Sequence, residues 1–267
     1  MVPLISTRKA MKEEKYKKKI KPFLPYVDTL LELQFPEEKS KLEETEIVTL
    51  CSEFLSAGSD TTSTALQWIL GYLVKHPHIQ EKLIMEIKGV VGEGKLEIKE
   101  DDLQNMPYLK AMVLEGLRRH PPSHFLVPYA VTKDAELDGF LVPKNSIVSL
   151  IVAEIGRDPK VWENPTEFKP ERFLNGKNGE TFDITGSRGI KMMPLGVGRR
   201  MCPGYSLALL HLEYFVENMV WKFKWAARSK GNYVDLTEKH EFTTVMETSL
   251  KVRIVSSKRI SQRRMFS

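Results

Sequence analysis

Cysteine is nearly missing from this chain: Cys51 and Cys202 are the two thiols among 267 residues. Two cysteines exclude a disulfide framework and a cysteine-only zinc site, and they suit a reducing compartment. Long apolar runs are missing as well. No uninterrupted stretch reaches the ~18 to 20 residues needed to cross a bilayer. No apolar segment precedes the charge run RKAMKEEKYKKKIK at residues 8–21, so neither a membrane span nor a secretory leader is expected. Internal repeats and low-complexity segments are absent. The net charge of +5 gathers in residues 1–22 and 258–264. A solvated helix and tail account for it, with an anionic membrane surface or an acidic protein as alternatives. These basic runs lack interleaved aromatics and any binding motif, which argues against nucleic acid as a partner.

What is present is ordinary in amount and uneven in arrangement. Hydrophobic residues make up 42% of the chain, enough for one large domain or two small ones with a sizeable core. Residues 1–43 read as a charged helix and linker. Apolar periodicity predicts helices over 44–75, 78–91 and 106–119, the last stopped by His120-Pro121-Pro122. HFLVPYAVT and AELDGFLVPKNSIVSLIVAEI then alternate with β character around Asp-Gly and Pro-Lys-Asn turns, predicting short strands. Residues 157–193 are rich in Pro, Gly, Asn and Asp and read as a long irregular meander, which compact domains rarely keep without a function. A helix over 205–225 and a terminal hairpin with a basic tail over 226–267 complete one partial domain that is mainly α with small β-sheets.

The helix at 44–75 contains AGSDTT. Turned at 100° per residue, Ile47, Leu50, Cys51, Phe54, Gly58, Thr61, Thr62, Ala65, Ile69 and Tyr72 fall within about 60° of one line. Ser59-Asp60 can be read as an N-cap that restarts the helix, but the stripe crosses it without changing phase. In an unbroken helix, Gly58 and the hydroxyl of Thr61 would open a small slot, with Thr61 back-bonding to Ala57. Asp60 would point about 140° away on the same wheel, placed to pass protons rather than touch an occupant.

Residues 194–204, PLGVGRRMCPG, hold one thiol in a constrained loop. Pro203 suits a first helical position, which would place Cys202 at a helix N-terminus that favours thiolate. Gly196, Gly198 and Gly204 permit sharp turning or close approach to something flat, and Arg199 and Arg200 add positive charge. A buried cysteine in a tight turn remains the plain alternative. A catalytic thiolate is the other, although no neighbouring histidine is placed to activate it.

Gly198-x-Arg200-x-Cys202-x-Gly204 resembles the haem-binding signature of the cytochrome P-450 haem-thiolate monooxygenases. Three further segments resemble that family in its order: Ala57-Gly58-Ser59-Asp60-Thr61-Thr62 its oxygen-activation helix, Glu115-Gly116-Leu117-Arg118 its E-x-x-R helix, and Pro170-Glu171-Arg172-Phe173 its P-E-R-F segment. The wording is closest to plant microsomal members and covers only the family's C-terminal, haem-binding half. The resemblance implies haem b with Cys202 as thiolate ligand of the iron, Arg200 paired with a propionate, and Gly198, Gly204, Ala57 and Gly58 bordering the porphyrin. It further implies that Thr61 holds the distal oxygen while Asp60 relays protons, and that Glu115, Arg118 and Arg172 form a structural lock. Glu115 and Arg118, three apart, are neighbours on one helix in any case. Phe54, Phe125, Leu126, Val127 and Val245 are the implied substrate lining. Two departures stand out: Leu195 replaces the signature's phenylalanine, and Tyr129 stands where relatives offer a basic propionate contact, with His124 a candidate to compensate.

The implied activity is insertion of one atom of O2 into a small hydrophobic substrate, with electrons from NADPH through a flavoprotein reductase. Full-length relatives sit on the cytosolic face of the endoplasmic reticulum membrane, and their anchor is absent from this sequence. Two alternatives remain. One is a truncated, catalytically incomplete haem-binding fragment. The other is a haem-thiolate isomerase or dehydratase that needs no O2, against which the Asp60-Thr61 pair argues.

Overall fold

The computed structural model describes residues 2–17, 24–37, 40–92, 98–174, 182–228 and 234–257. The basic tail at 258–264 and part of the charge run at 8–21 lie outside them. Seven α-helices run in the order α1 (Val2–Lys17), α2 (Tyr26–Glu32), α3 (Glu44–Lys75), α4 (Pro77–Val91), α5 (Pro107–Arg119), α6 (Val152–Ile155) and α7 (Tyr205–Lys222), among the described residues. The strands are β1 (Tyr129–Ala130), β2 (Ala135–Leu137), β3 (Phe140–Val142), β4 (Ile147–Val148), β5 (Phe223–Ala227), β6 (Glu238–His240), β7 (Thr244–Met246) and β8 (Val252–Ser256). The fold is mainly α with small sheets, and two compact units, Met1–Asp60 and Thr61–Ser267, divide it within α3.

In the first unit, Ile5, Leu30 and Ile47 form a small core against Val27, Leu31 and Val48. Asp28 is buried there, and its carboxylate accepts from Arg8 Nε (2.9 Å) and Nη2 (2.7 Å), so the buried charge is paired by both prongs of one guanidinium.

The second unit holds the main core. Ile69 and Leu73 of α3, Leu83 and Ile87 of α4, Leu109 and Met112 of α5, and Val216 and Val220 of α7 are all buried in one cluster. These positions recur at helical spacing, so each helix contributes one apolar face. Gly116 lets α5 close on α3, because a Cβ there would meet Ile69 Cγ1 at 2.5 Å. Pro107 opens α5, and Glu86 of α4 accepts from the free N–H groups of Tyr108 (2.7 Å) and Leu109 (2.9 Å), capping it from outside.

Among the described residues, four antiparallel two-stranded sheets complete the unit: β1 with β4, β2 with β3, β5 with β8 and β6 with β7. The β2–β3 hairpin turns at Asp138 and Gly139, whose φ values of 51° and 80° are those an Asp-Gly type I′ turn requires. Two expectations need correction. The helix expected over 205–225 stops at Lys222, because Phe223 is extended and residues 223–227 pair with β8 while Trp225 N–H donates to Gln80 Oε1 (3.1 Å). The expected terminal hairpin is two separate pairings, with β6–β7 lying in sequence between the paired strands β5 and β8. The meander carries no helix beyond a 3-10 turn at Pro170–Phe173, among its described residues.

Candidate functional site

The cysteine loop is shaped by its own backbone. Gly196 and Gly198 adopt φ of 71° and 68°, a region that favours glycine. Cys202 N–H donates to Leu195 C=O (2.8 Å), Gly196 N–H to Met193 C=O (3.0 Å) and Met201 N–H to Gly198 C=O (3.1 Å), which folds the loop back on itself. Cys202 is half-buried, whereas Gly198 and Arg200 are exposed. A Cβ on Gly204 would lie 4.0 Å from Cys202 Sγ, and one on Gly198 would meet no heavy atom within 4 Å. Pro203 is not the first helical residue. α7 opens at Tyr205 behind Gly204, so the sulfur stands a turn ahead of the helix, and Tyr205 N–H donates to Cys202 C=O (3.3 Å).

A network of ions joins α5 to the segment that follows it. Glu115 and Arg118, both fully shielded from solvent, form a two-pronged pair: Nε to Oε2 at 2.6 Å and Nη2 to Oε1 at 2.8 Å. Arg172 Nε reaches the same Oε1 at 3.1 Å, and Lys169 N–H donates to it at 2.8 Å. Remaining guanidinium hydrogens go to carbonyls of the meander and of Gly156 just before it: Arg118 to Gly156, Pro165 and Glu167, and Arg172 to Glu163, Asn164 and Glu167. A buried ion pair compensates its desolvation only when its other donors and acceptors are satisfied, and here the meander supplies that satisfaction. Asp183 organises the approach to the loop, accepting from Thr185 N–H and Oγ1, Ser187 Oγ and Arg188 N–H. Those hydrogen bonds, the one from Thr185 Oγ1 foremost, hold its carboxyl well below the usual carboxylate range.

The helix α3 carries the polar interruption without a break. Asp60 is exposed and Thr61 half-buried, while Ala57 and Gly58 are exposed. The stripe is not uniformly buried: Phe54 is 44% exposed, its ring stacked on Tyr26 with centroids 4.6 Å apart. Of the other proposed lining residues, Leu126 comes to the cysteine loop, 3.8 Å from where a Cβ of Gly196 would be. Phe125 bridges to Ile151 but is 52% exposed, and Val127 is 84% exposed. Val245 is half-buried in β7.

Sequence reasoning missed a second polar centre. His120, at the end of α5, stacks flat on Trp68 with ring centroids 3.8 Å apart. Its Nδ1 lies 2.6 Å from Glu238 Oε1 and its Nε2 lies 2.9 Å from Tyr72 Oη. Arg157 also donates to Glu238 Oε1 and to the carbonyl of Arg119. Burial pulls the His120 imidazole down to about 4, against the Glu238 carboxylate that draws it upward. Burial alone would raise Glu238, but hydrogen bonds from His120 and Arg157 outweigh it and hold the carboxyl down at about 2. An ionised Glu238 can only accept, so neutral His120 donates from Nδ1 and accepts the Tyr72 hydroxyl at Nε2. Trp68 Nε1 donates to Thr244 C=O (2.7 Å), tying β7 to α3. His124, a candidate propionate partner from sequence, lies instead with Nε2 2.9 Å from Glu238 Oε2, because its segment packs beside β6. The one sequence signal for this centre was a histidine directly before Pro121-Pro122.

Comparison with known proteins places the chain as a whole. The sequence model of the family described as "Cytochrome P450" matches residues 1–252. The chain is 53% identical over 241 residues to "Cytochrome P450 89A9" of Arabidopsis thaliana, covering 86% of this chain and 47% of that protein. It is 33% identical to "Flavonoid 3',5'-hydroxylase 2" of Petunia hybrida, over 93% of this chain and 48% of that one. A solved zebra fish cytochrome P450, a structure with abiraterone, superimposes with a TM-score of 0.75 at 29% identity, covering 96% of this chain and 59% of that one. The chain thus spans about half the length of these curated relatives.

Proposed function

The chain belongs to the cytochrome P450 family, and we propose that it forms the haem-binding part of a plant haem-thiolate monooxygenase acting on a small hydrophobic substrate. The observation that carries the reading is the cysteine loop: one soft donor, half-buried, between a glycine with positive φ and a glycine beside the sulfur, backed by a buried ion lock. The residues present fit the group. A Cβ at Gly198 would enter open space, so a flat ligand can approach the backbone there, and the donor is a lone thiol rather than a multi-residue metal set. When bound, haem b supplies the activation of O2, with one oxygen atom entering the substrate and the other leaving as water.

Each residue then has a role. Cys202 would hold the haem iron through its thiolate, whose electron donation suits the activation of O2. Arg200 pairs with a propionate, and Gly198 and Gly204 border the ring. Along α3, the oxygen-activation helix of this reading, Ala57 and Gly58 leave room, Thr61 Oγ1 offers a hydrogen bond, and Asp60 hands protons to it from the solvent side. Phe54, Phe125, Leu126, Val127 and Val245 select an apolar substrate by excluding polar ones. Residues 106–119, 157–193 and 194–204 act together, with Glu115, Arg118 and Arg172 fixing the meander behind the loop. Electrons come from NADPH through a flavoprotein reductase at the endoplasmic reticulum membrane; no helix among the described residues is long and apolar enough to cross a membrane. The "hydroxylase" in the name of the Petunia relative supports this class of reaction.

Replacing Thr61 tests the proton path. With reductase, NADPH and an apolar substrate, Thr61→Ala is expected to keep haem and consume NADPH while releasing more peroxide per product than wild type. Equal coupling in the two proteins would refute the role of Thr61. The exposure of Phe125, Val127 and Phe242 favours a second reading, in which this length of chain holds haem but does not turn over alone. Retained haem with no NADPH-dependent product would select it.

A further inference from the structure

Glu238 and His240 stand two residues apart on β6, so their side chains leave the same face of the strand. His124 reaches that face from the segment after α5, and its carbonyl accepts the Val152 N–H (2.9 Å), which fixes it at the start of α6. Ligand atoms of the three residues all lie within 4.8 Å of one another. The two imidazoles meet edge to face with centroids 4.3 Å apart. His124 Nε2 is buried and has no hydrogen-bond partner among the described residues, although Glu238 Oε2 is only 2.9 Å away. A shielded ring nitrogen thus lies against a carboxylate oxygen, a pairing that a shared cation would bridge.

We propose that His124, Glu238 and His240 bind one divalent transition cation of the zinc class, with a fourth position open to water. Two imidazoles and one carboxylate are a zinc donor set, whereas calcium and magnesium take oxygen ligands. Bonds of ~2.0–2.2 Å place neighbouring ligands of a tetrahedron roughly 3.3 Å apart. The His124–Glu238 spacing of 2.9 Å falls short of that by about half an ångström, and rotations of the His124 and exposed His240 side chains bring the three ligand atoms to it. Outer contacts are in place too: His120 and Arg157 occupy Glu238 Oε1, leaving Oε2 for the metal and holding the carboxylate in orientation. A cation here clamps the β6–β7 hairpin to the segment 123–127, joining two stretches assigned to the substrate wall.

Titration of the full chain with Zn2+ by calorimetry tests the site. Wild type is expected to take up one equivalent that His240→Ala weakens by at least about tenfold, the scale on which lost support of a metal site is felt. Binding by thiols is common to both proteins and cancels in the difference. His240 is exposed, so its replacement leaves the fold intact; a cobalt titration of haem-free protein, reading the visible bands of tetrahedral Co2+, repeats the test without relying on affinity. Equal Zn2+ binding by wild type and His240→Ala, or none by wild type, overturns the proposal.

Discussion

Glu115, buried, and Glu238, half-buried, are carboxylates that join distant stretches of chain, yet they are held by different partners. Glu115 receives two guanidinium groups, Arg118 and Arg172, and ties α5 to the meander. Glu238 receives one guanidinium, from Arg157, and an imidazole from His120, and ties α5 to β6. Guanidinium charge does not titrate and its fork binds carboxylate by two prongs, so the first junction is a fixed strut. The buried His120 imidazole is neutral at neutral pH and takes up its proton only as pH falls toward 4, so the second junction responds to acid. The strut fixes the course of the segment 156–172. The responsive junction lies beside the segments 123–127 and 243–246, the stretches proposed above as substrate lining.

Breaking the strut has the largest expected effect. Glu115→Ala leaves two arginines buried around a missing partner and should cost about 3–5 kcal/mol, the usual price of an uncompensated buried charge. Denaturant unfolding followed by circular dichroism measures it. A loss under about 1 kcal/mol, as for an exposed pair, would show that the meander is held by something else.

Acid sharpens the contrast. The folded-state value of His120, about 4, lies below its ordinary 6.5, so the unfolded chain takes up that proton first. The stability it contributes is complete above pH 6.5 and is lost as pH falls toward 4. Glu238, held at about 2 against an ordinary 4.5, extends the loss below pH 4.5 with the same sign. The melting temperature of wild type should therefore fall between pH 6.5 and 4, and the fall should be shallower in His120→Gln. Parallel curves would remove His120 from the account. The smallest effect is expected at Lys82–Glu171, a 2.6 Å pair with both side chains well exposed. There Lys82→Met should change stability by no more than about 1 kcal/mol, measured in the same unfolding experiment.

The contrast also marks what was legible beforehand. The run of α3 through Ser59-Asp60 followed from an apolar stripe that keeps its phase, and the stop of α5 from two prolines. Glu115 and Arg118 are neighbours by helical spacing alone. Their carbonyl partners at Gly156, Pro165 and Glu167 were not legible, because they depend on the path of an irregular segment that no periodicity constrains. The His120 centre escaped for the same reason: its partners lie 48 and 118 residues away, on a helix face and a three-residue strand. Phe223 carried no sign that strand pairing with β8 would end α7, since aromatic residues serve either structure. Exposure of Phe54 and Val127 likewise cannot be read from hydrophobicity, which says what a side chain prefers and not what covers it.

The central claim is that the Cys202 sulfur is the axial ligand of a haem. Reconstituted with haem, reduced and exposed to carbon monoxide, the wild-type chain should show the red-shifted Soret band of thiolate ligation, and Cys202→Ala should lose it. A wild-type spectrum without that shift, or one unchanged in Cys202→Ala, would contradict the assignment.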